Sequence, residues 1–128
     1  MNKLIIDVAS EKIFLMIINS SNIYNITYEN TKINFEKLTI IISDFLSTYN
    51  LKITDINKIY VNKGPGSFAG IRNSLSIVKA FSVAKKIDYY CYSLDDFKGE
   101  INVSYENIPN LCDKFKIKKN LINPIYLS

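Results

Sequence analysis

The side chains with chemical potential fall in two places. Asp7 ends an apolar run, and Ser10 follows three residues later. Further on, Lys63-Gly64-Pro65-Gly66-Ser67-Phe68-Ala69-Gly70-Ile71-Arg72 collects three of the four glycines, one of the three prolines and the only arginine. A glycine turn that opens a helix can hold phosphate, because the first backbone N–H groups lack partners and the helix dipole favours an anion. The same turn is equally served if Ser67 simply caps the helix. There is no G-K-[ST], so the turn is not a P-loop, and G-x-G-x-x-G is also absent. Histidine is absent, which removes the commonest general base and metal ligand.

These residues need a strand before them and a helix after. Asn57 to Asn62 alternates polar and apolar residues and reads as a strand, and about Arg72 to Lys86 reads as a helix. Arg72 would then stand in the first helical turn, on the unfavourable end of the macrodipole. A carboxylate partner in this chain or another, or a bound anion, would account for it; an indifferent exposed arginine is the plain alternative. Ser76, Ala80 and Ala84 recur every four residues as a ridge of small side chains, while Ile71, Leu75, Val78 and Phe81 form a stripe suited to a sheet.

Upstream, Lys3 to Val8, Ile13 to Asn19 and Ile23 to Glu29 predict three strands joined by short turns, an antiparallel meander. Asn34 to Asn50 predicts one amphipathic helix with Phe35, Leu38, Ile41, Ile42, Phe45 and Tyr49 on its inner stripe. Ile40 lies almost opposite Leu38 and is available to a partner. Asp88 to Tyr92 predicts a fifth strand, and Ser93 an N-cap. Strand–strand–strand–helix–strand–helix–strand is the order of a ribonuclease-H-like half domain, with the later strands joining in parallel through right-handed crossovers.

Gly64-Pro65-Gly66-Ser67-Phe68-Ala69-Gly70-Ile71-Arg72 closely resembles the GPGSFTGxR signature of the TsaB (YeaZ) family, with Ala69 in place of the usual threonine. The resemblance implies a fold: an α/β half domain of the sugar-kinase/actin/Hsp70 (ASKHA) superfamily with a five-stranded mixed sheet and packed helices. It also implies a role as a non-catalytic partner in making threonylcarbamoyladenosine on tRNA. Nucleotide-handling members of the superfamily carry Asp-x-Gly-[Thr/Ser] after the first strand. Here Asp7-Val8-Ala9-Ser10 keeps the aspartate and a hydroxyl but has alanine for glycine, a degenerate phosphate loop. Catalytic relatives also hold a metal through a His-x-x-x-His pair near the first helix, where this chain has Asn34 and Leu38.

The resemblance covers about residues 1–97, leaving 98–128 as a short remnant of the second half domain that family members carry. The ending Asn123-Pro124-Ile125-Tyr126-Leu127-Ser128 resembles the Pro-x-Tyr-Leu-Arg end of full-length relatives, with Ser128 for arginine; an internal deletion that kept both ends would give this pattern. Lys114 to Lys119 alternates lysine with Phe115 and Ile117, an edge strand guarded by charge or else a small basic strip near tRNA.

Composition bounds these readings. At 128 residues, 48% of them hydrophobic and 22% charged, the chain suits one ordinary domain rather than a disordered one. A net charge of +4 with one arginine does not mark a dedicated nucleic-acid reader. The N-terminal apolar runs are broken by Asp7, Glu11 and Lys12, no stretch has the length of a membrane span, and a cytoplasmic location is expected. Cys91 and Cys112 are too few for a disulfide framework and read as core residues.

Two functions follow. One is a pseudo-enzyme subunit that needs no cofactor or metal, pairs with a TsaD-type transferase, is joined by a TsaE-type ATPase, and forms a homodimer when alone. It would meet tRNA only through the complex and no membrane. Recognition would fall to Ile40, Arg72, Ser76, Ala80 and Ala84, with the motif turn at Gly64, Pro65, Gly66, Ser67, Phe68, Gly70 and Arg72 fixing the second helix. The other is a small phosphate- or nucleotide-handling enzyme using Asp7, Ser10 and the glycine turn.

Overall fold

The computed structural model describes residues 1–126; the Ser128 reading lies outside them. Strand β1 (Lys3–Asp7) pairs antiparallel with β2 (Lys12–Ile18), which pairs antiparallel with β3 (Ile23–Glu29). On its other side β1 pairs in parallel with β4 (Lys58–Asn62), and β4 with β5 (Asp88–Tyr92). The five strands lie in the order β3-β2-β1-β4-β5, the mixed sheet expected from the element order.

Residues two apart in a strand share a face, and the sheet has two distinct cores as a result. Leu4, Ile6, Val8, Ile13, Leu15, Ile17, Ile59, Val61 and Cys91 face one way, under the helices that precede and follow β4. Ile5, Met16, Tyr60 and Tyr92 face the other way. Asp7 continues the Ile5 face, and Asn62 the Tyr60 face.

The helix expected over Asn34 to Asn50 is two helices, α1 (Lys32–Glu36) and α2 (Leu38–Thr48), separated at Lys37. Thr31 caps the first by accepting from the Asn34 N–H at 3.2 Å, so it begins before Asn34. Leu38, Ile41, Ile42 and Phe45 are buried as the stripe requires, and Leu46 joins them. Helix α3 runs Phe68–Lys85, one turn earlier than expected. Ser67 ends the glycine turn and caps the helix, so Arg72 stands in the second turn and the dipole objection to it weakens.

The segment after β5 covers the second face. Ser93 caps a short 3-10 turn, Leu94–Phe97, and α4 (Ile108–Lys114) lays Ile108, Leu111 and Cys112 on the Ile5–Tyr60–Tyr92 layer. Lys114 to Lys119 is not the expected edge strand. Lys114 ends α4, Lys116 takes φ 56°, and the Ile117 N–H returns to the Cys112 carbonyl at 3.0 Å, a helix stop that uses the N–H groups a strand would offer. One antiparallel bridge, Tyr90 to Lys119, then shields the β5 edge. Within the described residues the tail returns to the motif turn, where the Ile125 N–H donates to the Lys63 carbonyl at 2.8 Å and Tyr126 bridges Gly66.

Candidate functional site

Asp7 is the last residue of β1, and its register neighbours decide its surroundings. Phe14 is its partner on β2, and Asn62 lies one residue beyond the Ile6–Val61 pair on β4. All three project from the face that the C-terminal segment covers. Tyr105 enters from that segment and stacks on Phe14, ring centroids 3.9 Å apart. Its hydroxyl donates to Asp7 Oδ2 at 2.8 Å, and the Asn62 side-chain amide donates to the same oxygen at 3.1 Å. The other oxygen accepts from the Ala9 N–H at 3.0 Å.

The carboxylate is thus buried and held by three protein donors, as a buried charge must be. Burial, then the Asp7 charge and the bond to it, raise the Tyr105 hydroxyl above its usual range, so the proton stays on the tyrosine. A cavity of about 300 Å³ adjoins the pair, lined by Asp7, Leu94, Val103, Ser104, Tyr105 and Ile108. Ser10 is exposed and does not converge on Asp7. No group of three or more metal-ligating side chains occurs among the described residues.

Asn62 joins this carboxylate to the glycine turn, since its Oδ1 accepts from the Gly64 N–H at 2.9 Å. The Gly64–Pro65 peptide is cis, and Gly64 sits at φ +110°, where a side chain would be strained. A Cβ on Gly66 would overlap the Ala9 carbonyl, and one on Gly70 the Val8 carbonyl. These two glycines let the start of α3 lie directly on the backbone after β1. The Ser67 N–H donates to the Ala9 carbonyl at 3.1 Å, while Ser67 Oγ lies 3.5 Å from the Gly70 nitrogen as a long cap. Two N–H groups that would cradle an anion, those of Gly64 and Ser67, are therefore used inside the protein.

The five residues expected to meet a partner are all exposed. Ile40, on α2, is 59% accessible. Arg72 and Ser76 line one side of a cleft with Leu75 and Lys79, opposite Ile122, Pro124 and Tyr126. Ala80 and Ala84 continue the ridge along α3, and Ile40 stands apart from that cleft. Cys91 and Cys112 are core residues, as expected; burial pushes both thiols up to about 12.

Asn62 and Tyr105 escaped the sequence reading. Asn62 carried a signal, an amide ending a strand next to the motif on the face that alternation assigns to Asp7. Tyr105 carried none, because 98 residues separate it from Asp7.

A meander of three strands, two parallel strands added beside the first, and a carboxylate at the end of β1 define a ribonuclease-H-like half domain of the ASKHA kind. The chain belongs to the family described as "TsaD: tRNA N6-adenosine threonylcarbamoyltransferase", whose sequence model matches residues 31–96, half of the chain. It is similar to the tRNA threonylcarbamoyladenosine biosynthesis protein TsaB of Buchnera aphidicola subsp. Schizaphis graminum, with 28% identity over 87 residues, 68% of this chain and 41% of that protein. Among solved structures it resembles YeaZ from Pseudomonas aeruginosa, with TM-score 0.66 and 17% identity over 72% of this chain and 43% of that one. Thermus thermophilus RuvC shares the fold more distantly, with TM-score 0.51 and 10% identity over 92% of this chain and 82% of that one. The chain is TsaB/YeaZ-like and spans less than half the length of those TsaB and YeaZ relatives.

Proposed function

We propose that this chain is a non-catalytic docking subunit in threonylcarbamoyladenosine modification of tRNA, paired with a TsaD-type transferase. The observation that carries this reading is the state of Asp7. The one buried carboxylate at the end of β1, where open α/β sheets place their ligands, has its oxygens engaged by Ala9, Asn62 and Tyr105. Held by these three donors, the carboxylate serves to anchor the C-terminal segment to the end of β1. What the chain offers a partner is a helical face: Ile40 on α2 and the ridge Ser76, Ala80 and Ala84 on α3 reach the surface without covering. Small side chains on that ridge permit close approach of a partner helix.

In this reading residues 1–97 are the docking half domain, and the segment from residue 98 onward stands where a second half domain would otherwise meet the sheet. The transferase supplies the reaction, a TsaE-type ATPase joins the pair, and the chain alone forms a homodimer through the same face. tRNA is reached through the complex. The rival reading, a phosphate-handling enzyme built on Asp7, requires Tyr105 to leave the carboxylate first.

Co-purification of the chain with the cognate transferase, with and without nucleotide, tests the proposal. A stable complex is expected. Failure to associate at high concentration, or metal-dependent ATP hydrolysis by the isolated chain that disappears in Asp7→Asn, overturns it.

A further inference from the structure

Arg72 and Lys79 are seven residues apart on α3, close to two helical turns, and so share a side of the helix. Both line the cleft of about 200 Å³ between α3 and the tail segment at Ile122, Pro124 and Tyr126. The Arg72 guanidinium lies 5.8 Å from the Phe68 ring centroid, and Phe68 in turn packs on Tyr126 with centroids 4.7 Å apart. The aromatic pair steadies the guanidinium but gives it no counter-charge. The ion pairs among the described residues lie elsewhere: Lys12–Glu29, Lys63–Asp96, Lys114–Glu100 and Lys119–Asp88. Two cations therefore flank an apolar floor, with the Ser76 hydroxyl between them and no described carboxylate answering either.

We infer that the Arg72–Lys79 cleft receives a carboxylate side chain from an acidic segment of the partner protein. This inference rests on the docking reading above and names the chemistry of the partner's surface. A planar guanidinium with a lysine one heptad away matches a carboxylate, or two carboxylates spaced along a helix. The floor formed by Leu75, Pro124 and Tyr126 suits the aliphatic stem of a glutamate. A nucleic-acid backbone is the poorer match, because phosphate tracking needs a longer row of cations than this cleft provides. The rest of the face supports the assignment: α3 continues through uncharged Ser76, Ala80 and Ala84 and ends at Lys85, with no acidic residue along its length to repel an acidic partner.

The test measures binding of the full chain to the cognate transferase at low and high salt for wild type, Arg72→Glu, Lys79→Glu and Arg72→Lys. Helical content and melting temperature are recorded for each. Both charge reversals are expected to weaken binding by about tenfold or more, with Arg72→Lys intermediate and wild-type affinity falling as salt rises. Wild-type binding that neither reversal nor salt alters overturns the inference while leaving the docking reading intact. No wild-type binding at all overturns the docking reading and the inference with it. Reversals that abolish binding of isolated tRNA yet spare the protein complex assign the cleft to RNA and also overturn the inference.

Discussion

The Tyr105 hydroxyl rests 2.8 Å from Asp7 Oδ2, joining residues 98 positions apart and tying the C-terminal segment to the end of the first strand. Tyr92 presents the opposite case. Its hydroxyl is fully buried on the same face, yet it has no hydrogen-bond partner among the described residues.

The two tyrosines should respond oppositely to loss of the hydroxyl. Tyr105→Phe leaves a buried carboxylate one donor short and is expected to destabilise the fold by about 1–3 kcal/mol. Tyr92→Phe removes a polar atom that already lacks a partner and should be neutral or stabilising. Asp7→Asn turns an amide toward the Ala9 N–H or the Asn62 amide and should be at least as damaging as Tyr105→Phe. Urea unfolding of the three variants decides the matter. Equal effects of the two Phe substitutions would mean that Tyr105 does not hold Asp7.

Gly70→Ala is expected to destabilise by about 2 kcal/mol or more, because its methyl meets the Val8 carbonyl and Val8 Cγ1 in a place where neither helix nor strand can yield. Gly99→Ala is the control. Nothing lies within 4 Å of its Cβ, and its φ of +84° imposes backbone strain alone, about 1 kcal/mol. If the two melt alike, close backbone packing is not what requires the motif's third glycine.

Ala80→Glu should separate folding from pairing. The residue is exposed, so stability should stay within about 0.5 kcal/mol of wild type. A carboxylate desolvated in a helical interface costs several kcal/mol unless it is paired, enough to abolish association at micromolar concentration. Size-exclusion chromatography of the chain alone and with its partner reads the outcome. Unchanged elution would remove the α3 ridge from the interface.

Asp88 gives a pH signature. It accepts from the Asn120 side-chain amide at 3.0 Å, and with the nearby Lys119 and Lys58 this bond holds its carboxyl below the ordinary value of 3.8. A depressed folded value means that the contribution is complete above about 3.8 and lost as pH falls through the folded value. The group is largely solvated, so the effect is small. Melting temperatures of wild type and Asp88→Asn should differ most at neutral pH and converge as pH falls through the acid range in which Asp88 takes up its proton, in line with the depressed titration. A constant difference over that range would show that Asp88 does not titrate differently on folding.

Much of this arrangement was legible along the chain. The five strands and the cap at Ser93 follow from alternation and turn chemistry, which act over a few residues. The division of the first helix at Lys37 did not, because apolar spacing continues across it and the Thr31 cap leaves no mark in that spacing. The early start of α3 was missed for a related reason. The turn residues and the helix share Phe68 to Arg72, and only backbone dihedrals show where one ends.

By itself the sequence determined the sheet, the faces of its strands, the absence of histidine and the motif turn, all properties of local pattern and composition. Tertiary structure decided what those features do. It set Tyr105 and Asn62 on Asp7, used the Gly64 and Ser67 N–H groups inside the protein, and left Arg72 and Lys79 facing one cleft. Each of these depends on segments brought together by burial of the two faces of one sheet, and no short-range rule reports which distant side chain will arrive there.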